Sequence, residues 1–299
     1  MSRHGSSCFV AKFNIAHIVP DLGARAVTHG LHGYREVVET LRWGLADLGH
    51  DATITENSFA GDRVNIVIGA QVLADADLRR LPVETIIYNF EQIAKFSTDQ
   101  LKPEIRTVGE RFQIWEYSQA NIATWNAVGT RHTVRHVPVG WAPILARINS
   151  DAPQDIDVLF YGLPGQLRLE IFYDLCRLGI KCVFVCGLYG AARDDLIARS
   201  KLVLNINLYQ SRIFEIVRVS YLLANAKAVV ADIQADTFVE PGIEGAVVFC
   251  EPSQVVAECK ALLENDETRH ELETRGRAIF EKRHISPILS RALGAPGAH

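Results

Sequence analysis

Short apolar runs alternate with longer amphipathic stretches through the first half of the chain. Val37, Leu41, Leu45 and Leu48 recur at helical spacing, and Gly49 follows them as a typical helix end. Strands are predicted at residues 13–20, 52–55, 64–70, 83–90, 114–118 and 132–140, with helices over 75–81 and 119–129. Strands that alternate with helices indicate a parallel sheet.

The same alternation restarts after an irregular segment, residues 142–157, which is rich in Pro, Asn, Ser and Asp and is typical of a linker. Strands are predicted at 156–162, 181–187, 201–207, 228–232 and 246–250, and helices run through Cys176 and over 194–200, 213–226 and 252–282. The sequence therefore predicts an α/β protein with two doubly wound, Rossmann-like domains facing a central cleft. The predicted parts are a disordered N-terminus (1–10), a first domain (11–148), a second domain (149–285) and a C-terminal tail (286–299).

Composition narrows the classes of function. The 299 residues suffice for two cores, and a net charge of −4 leaves no basic surplus for nucleic acid. The six cysteines show no paired spacing, which argues against a zinc site or a disulfide framework. No apolar stretch is long enough for a signal peptide or a membrane span, so we expect a cytoplasmic protein, with peripheral membrane association left open.

The most informative stretch is residues 201–232. Asn207 and Tyr209 follow a buried strand, and Phe214 and Glu215 are predicted in the first turn of the next helix. Polar groups at the carboxyl end of a parallel strand face the ligand crevice. Arg218 lies one helical turn further along, where it can pair with Glu215 or reach a ligand. A purely structural pair on a solvated helix face is the alternative interpretation.

This stretch resembles the retaining, nucleotide-sugar-dependent glycosyltransferases of GT-B fold, in which a Glu opens this helix beside the donor sugar. In that group a second Glu about eight positions later contacts the ribose, whereas Leu223 stands there in this sequence. Gly49, His50 and Thr53 match a further pattern of the fold. The resemblance covers nearly the whole chain, more loosely in its first half, and implies that Asn207, Tyr209, Phe214, Glu215 and Arg218 bind the donor.

A glycine-rich turn follows the first strand of the second half. Gly162 and Gly165 let the backbone approach a diphosphate, and the following helix presents free amide groups to it. Arg168 is the predicted charged partner. Glycine is also common in turns that only reverse the chain. The position of this turn, after a strand and before a helix, is what favours a diphosphate-binding role.

In the first half, polar side chains at predicted strand ends are the candidates for the acceptor side. Glu91 follows a strand rich in β-branched residues, where a carboxylate is costly unless exposed, paired or functional. It is predicted to orient or deprotonate an acceptor hydroxyl. The other candidates are His17, Asp21, Asn89, Gln92, Glu116, Tyr117 and Ser118.

Other chemistries lack their motifs. There is no Gly-x-Ser-x-Gly and no Gly-x-Gly-x-x-Gly after a first strand, which disfavours serine hydrolases and dehydrogenases. Asp155 and Asp157 lie in the linker, and no other acidic or histidine cluster has ligand spacing, so neither metal nor cofactor is predicted.

The resulting hypothesis is a metal-independent glycosyltransferase of hexosyltransferase type. It moves a sugar from a nucleoside diphosphate sugar to a hydroxyl acceptor, in bacterial glycan or glycoconjugate synthesis. Because the motif is degenerate, two alternatives stay open: a catalytically silent GT-B homologue that acts as a binding or scaffolding subunit, and a nucleotide-sugar epimerase.

Overall fold

In the computed structural model, the first domain is built on a parallel sheet, to which the described residues contribute six strands. The structure describes residues 10–19, 31–94, 100–149, 151–208 and 213–294. Residues 1–9 of the predicted disordered N-terminus lie outside them. The strands are β1 (Lys12–His17), β2 (Asp51–Glu56), β3 (Val64–Ile68), β4 (Ile86–Asn89), β5 (Gln113–Glu116) and β6 (Arg135–His136). They lie in the order β2-β1-β3-β4-β5-β6, and every neighbouring pair is parallel.

Helices connect these strands and cover the sheet. A 3-10 turn, Leu31–Tyr34, leads into α1 (Arg35–Asp47), and α2 (Asp75–Arg80), α3 (Pro103–Arg111) and α4 (Gln119–Val128) follow. Helix α1 buries Val37, Leu41 and Leu45 against the sheet, as their spacing predicts. Helix α3 was not predicted, because its only buried residues are Thr107, Val108 and Gly109, too few for a helical apolar pattern.

One predicted strand of the first domain is much shorter in the structure. The run 132–140 pairs only at Arg135–His136, because its partner β5 ends at Glu116. The Val137 amide still donates to the Glu116 carbonyl over 2.8 Å, but Val137 and Val139 are buried beyond the last paired residue of the strand. Burial alone therefore produced the strand-like pattern beyond residue 136.

The second domain repeats the architecture with a parallel sheet of five strands among the described residues. These are β7 (Ile156–Tyr161), β8 (Cys182–Val185), β9 (Ser200–Asn205), β10 (Ala228–Asp232) and β11 (Val248–Cys250), in the order β11-β10-β9-β7-β8. Its helices are α5 (Gln166–Arg177), α6 (Ala191–Arg199), α7 (Ile216–Ala224), α8 (Val255–Glu264), α9 (Asp266–Glu281) and α10 (Ile285–Leu293). The predicted arrangement of two facing α/β domains is confirmed.

Helix α7 begins later than predicted. The backbone of Ile213 and Phe214 pairs with Phe238, and the Phe214 amide donates to the Phe238 carbonyl over 2.9 Å. A residue held in this extended pairing cannot belong to a helical turn. Glu215 therefore occupies the N-cap position of α7 rather than its first turn.

The C-terminal helix α10 returns to the first domain. Gly44 of α1 lies so close that an added Cβ would sit 2.8 Å from side-chain atoms of Ile285 and Leu289. The Ser286 hydroxyl donates to Asp47 over 2.6 Å. Much of the segment predicted as a C-terminal tail is thus a packed helix. It has only nine residues, too few for a clear helical pattern of apolar positions.

Polar contacts join the two domains at the N-terminus of α4. Glu240 of the second domain accepts from the Gln119 amide at the N-terminus of α4 over 2.8 Å and lies 3.3 Å from Nε2 of His136. Burial opposes the charge on Glu240, but bonds from His136, Gln119 and Ser118 together lower its pKa. A buried carboxylate at a helix N-terminus holds the two domains in register.

Candidate active site

A cavity of about 500 Å³ lies between the carboxyl ends of the two sheets. This is where open parallel sheets bind ligands. Residues of the first domain that line it include Tyr34, Gln71, Phe90, Glu91, Gln92 and Tyr117. From the second domain, the lining includes Tyr161, Gly162, Arg168, Tyr189, Arg193, Glu215 and Arg218.

Two arginines converge on the glycine turn after β7. Gly162 has a φ of +139°, which side chains rarely adopt, and a Cβ there would lie 3.2 Å from both Nη1 of Arg168 and Nη2 of Arg218. Arg168 is buried on α5, where Nε donates to the Ile206 carbonyl over 2.6 Å and Nη1 to the Leu163 carbonyl over 2.9 Å. Two guanidinium groups beside bare backbone suit a diphosphate.

Glu215 completes this cluster from the N-cap of α7. Its carboxylate lies 3.2 Å from Nη1 of Arg218 and 3.9 Å from Nη2 of Arg168. The side chain makes no capping hydrogen bond, so a capping role does not explain its position. Arg218 also covers the ring of Tyr161, with 5.4 Å between guanidinium carbon and ring centroid. The structure therefore brings Gly162, Arg168, Glu215 and Arg218 together at one wall.

The remaining predicted donor residues lie elsewhere. Phe214 is buried in the core, edge-on to Phe249 with ring centroids 5.0 Å apart, and its side chain does not line the cavity. Asn207 is bound to Asp232: the backbone amide of Asn207 donates to Oδ1 of Asp232 over 2.7 Å. Burial raises the pKa of that aspartate. Tyr209 lies outside the described residues.

Glu91 lies on the opposite wall, contributed by the first domain. Gln71 donates from Nε2 to Oε1 of Glu91 over 3.0 Å. The Tyr34 hydroxyl bonds to the same carboxylate, and burial, followed by the negative charges of Glu91 and Glu215, raises the pKa of Tyr34. One tyrosine thus faces carboxylates from both domains, which places Glu91 and Glu215 at the same cavity.

Sequence reasoning missed a charged floor that spans the two domains. Glu36 of α1 is buried, and its Oε1 accepts from Nη2 of Arg193 on α6 over 2.7 Å. Arg147 of the linker also approaches Glu36, at 3.3 Å. Arg193 lies over the ring of Tyr221, 4.6 Å from its centroid. No sequence signal pairs Glu36 with Arg193, because the two meet only when the domains are assembled.

A buried carboxylate lies behind the Glu91 wall. Glu116 is wholly buried at the end of β5 and accepts hydrogen bonds from Asn89, Asn121, Trp125 and the Ser118 amide. Burial raises its pKa to about 7, although these four donors favour the ionised form. Of the strand-end candidates, Glu116 and Asn89 thus form a buried network and do not line the cavity.

Within the described parts of the chain, no group of three or more His, Cys, Asp or Glu side chains is placed to hold a metal ion. Asp155 pairs with Arg199, and Asp157 pairs with Lys201, at the opposite end of the second sheet from the cavity. None of the described helices is long and apolar enough to cross a membrane. Metal independence stays a prediction.

Comparisons with known proteins identify the fold. No model of a known protein family matches the chain. Uncharacterized protein L137 of Acanthamoeba polyphaga mimivirus is 27% identical over 198 residues, which is 64% of this chain and 26% of that protein. The chain therefore spans about a quarter of the length of this relative.

Solved structures match over almost the entire chain. Anabaena HepE in complex with UDP-glucose has a TM-score of 0.59 at 14% identity, covering 95% of this chain and 99% of HepE. Sucrose-phosphate synthase from Thermosynechococcus elongatus has a TM-score of 0.58 at 12% identity, covering 95% of this chain and 97% of that one. The predicted resemblance is thus confirmed at the level of the fold: the chain has the GT-B architecture of these glycosyltransferases.

Proposed function

We propose that the protein transfers a sugar from a nucleoside diphosphate sugar to a hydroxyl acceptor. The observation that carries the proposal is the convergence of Arg168 and Arg218 on the bare backbone of Gly162, with Glu215 beside them. HepE, of the same fold, has been solved with UDP and with UDP-glucose. In this chain the donor diphosphate would lie at the Gly162 turn and the N-terminus of α5, beside Arg168 and Arg218.

In the proposed reaction, the bond between C1 of the sugar and the β-phosphate oxygen breaks, and a bond from C1 to the acceptor oxygen forms. The nucleoside diphosphate leaves with the bonding electron pair. Arg168 and Arg218 stabilise its growing negative charge without a metal ion, and Glu215 faces the positive charge that develops on the sugar. Glu91 orients the acceptor hydroxyl and takes up its proton.

A catalytically silent homologue is the second candidate, and one observation favours it. Leu223, which occupies the place of the second Glu, is wholly buried, and its Cδ2 lies 3.1 Å from where a Cβ on Gly276 would stand. This position therefore belongs to the core and offers no carboxylate to a ribose. A silent homologue would bind the nucleotide without turning the donor over.

Thermal shift with UDP, GDP, ADP, CMP and dTDP identifies the base, since a ligand that binds only the native state raises the melting temperature. The preferred nucleotide is then titrated into wild-type protein, Arg218→Met and the control Arg177→Met, which changes an exposed arginine of α5. We expect roughly ten- to hundredfold weaker binding for Arg218→Met alone, because one charged contact is lost. Equal affinity of all three proteins would place the nucleotide elsewhere.

Turnover separates the two candidate functions. The sugar nucleotide of the preferred base is incubated with the protein, and free nucleotide is measured. Slow release by wild-type protein supports the transferase, whereas binding without release supports the silent homologue. The configuration at C1 of the product, read by proton NMR, tests the retention that the resemblance implies.

A further inference from the structure

The loop that carries Glu91 is bound to two asparagine side chains. Oδ1 of Asn121 accepts from the amides of Ile93 and Ala94, over 3.0 and 2.9 Å. Nδ2 of the same residue donates to the Glu91 carbonyl over 2.8 Å and to Oε1 of Glu116 over 2.9 Å. A single side chain thus fixes three backbone groups of the loop and is itself fixed by a buried carboxylate.

Asn89 repeats this arrangement on the other oxygen of Glu116. Its Nδ2 donates to the Glu91 carbonyl over 2.9 Å and to Oε2 of Glu116 over 2.7 Å, and its Oδ1 accepts from the Glu91 amide over 3.2 Å. Both backbone groups of Glu91 are therefore held by asparagines that bind one carboxylate. Since amides orient toward the strongest available acceptor, Glu116 also determines which way each asparagine presents its oxygen.

The loop also reaches the second domain. Nε2 of Gln92, the residue after Glu91, donates to the Ile213 carbonyl over 3.0 Å. Ile213 lies two positions before Glu215, which belongs to the proposed donor site with Gly162, Arg168 and Arg218. A shift of the loop would therefore move Glu91 relative to the donor site as well as relative to its own sheet.

We infer that Glu116 is a positioning residue, which acts through Asn89 and Asn121 to hold the Glu91 loop in the cavity wall. The inference rests on the proposed function for Glu91, but the hydrogen bonds that carry it are independent of that function. Glu116 is wholly buried and does not line the cavity, so it acts without touching substrate. Its two remaining donors, Trp125 Nε1 and the Ser118 amide, belong to α4 and its N-cap rather than to the loop.

Hydrogen exchange tests the positioning directly, at pH 8, where Glu116, with a pKa of about 7, is ionised. In Glu116→Gln, an NH₂ group replaces one acceptor oxygen. This group cannot accept the hydrogen bonds that Glu116 receives from its neighbours. Asn121→Ala removes the link while placing a good helix former in α4. We expect the amides of residues 91, 93 and 94 to exchange at least about tenfold faster in Glu116→Gln, and those of residues 93 and 94 to do so in Asn121→Ala.

Trp125→Phe is the matched control, because it removes one bond to the same carboxylate and leaves both asparagine links in place. We expect its loop amides to exchange within about twofold of wild type, although its melting temperature falls. Unchanged exchange in Asn121→Ala, or equal acceleration in Trp125→Phe, would overturn the inference. If Glu116→Gln does not fold, Glu116→Asp takes its place, because the shorter side chain withdraws the carboxylate from Asn89 and Asn121 while both asparagines remain.

Kinetics connect the positioning to the proposed reaction. With UDP-glucose as the probe and water as the acceptor, we expect Asn121→Ala to lower kcat roughly tenfold while the KM for the donor stays within about twofold, since donor contacts lie in the second domain. Loss of donor affinity with unchanged kcat would contradict a role for the loop in the reaction step. If wild-type protein releases no UDP, the proposed function fails on this donor, while the exchange experiment still decides the role of Glu116.

Discussion

Alanine at position 162 would place a methyl group inside the proposed diphosphate site. Its Cβ would lie 3.2 Å from a guanidinium nitrogen of Arg168 and from one of Arg218, closer than most real contacts. The φ of +139° adds backbone strain of about 1–3 kcal/mol. Charge-assisted hydrogen bonds contribute about 1.5–3 kcal/mol each, so displacing one arginine should weaken diphosphate binding by roughly ten- to hundredfold.

The assay is titration calorimetry of UDP, with the urea midpoint measured on the same preparation. Gly179→Ala serves as the control, because Gly179 also has a positive φ, +79°, but an added Cβ meets nothing within 4 Å. We expect both variants to lose stability and only Gly162→Ala to lose affinity for UDP. Equal affinity of the two variants would refute the placement of the diphosphate at Gly162.

Three further predictions concern stability. Arg193→Met removes the 2.7 Å partner of the buried Glu36 and leaves it Arg147, at 3.3 Å, so it should cost about 3 kcal/mol, the lower end for a broken buried pair, read from urea unfolding. Gly44→Ala should lower the melting temperature, because overpacking against Ile285 costs about 1–3 kcal/mol and exceeds the gain in helix propensity of about 1 kcal/mol. Because the native pKa of Glu116 is about 7 and its ordinary value is 4.5, the native state retains a proton that the unfolded chain releases, so stability should fall as the pH rises from 4.5 to 7. Glu116→Gln should remove this part of the pH dependence, and identical pH profiles of the two proteins would contradict it.

The fold was predictable because both sheets are parallel and mostly buried, so their strands appear as apolar runs between amphipathic helices. The same topology explains why Gly162 and Glu215 could be assigned to one wall: Gly162 directly follows β7, and Glu215 ends the connection after β9, the neighbouring parallel strand. Carboxyl ends of parallel strands meet at one edge of the sheet. Local sequence is therefore sufficient to predict at which end of a parallel sheet a residue lies.

Side-chain direction was less accessible to sequence reasoning. Phe214 adjoins Glu215, but its extended pairing with Phe238 turns the ring into the core. Tyr34 gave no signal of its own, since its contact with Glu91 joins residues that are distant in sequence. The sequence predicted the polar residues at the ends of β4 and β5 as candidates for the acceptor side. Only the structure shows that Glu91 lines the cavity and that Glu116 lies behind it.

An active site at the start of α7 is tested by the rate of UDP release from UDP-glucose by wild-type protein and by Glu215→Gln, with melting temperatures measured on the same preparations. We expect Glu215→Gln to release UDP roughly a hundredfold or more slowly than wild type, the scale of a single electrostatic contact in a water-excluded site. The melting temperature should change little, because Glu215 makes no capping hydrogen bond and a helix-dipole effect is worth only about 0.3–1 kcal/mol. A wild-type rate in Glu215→Gln would contradict the placement of the active site at the start of α7.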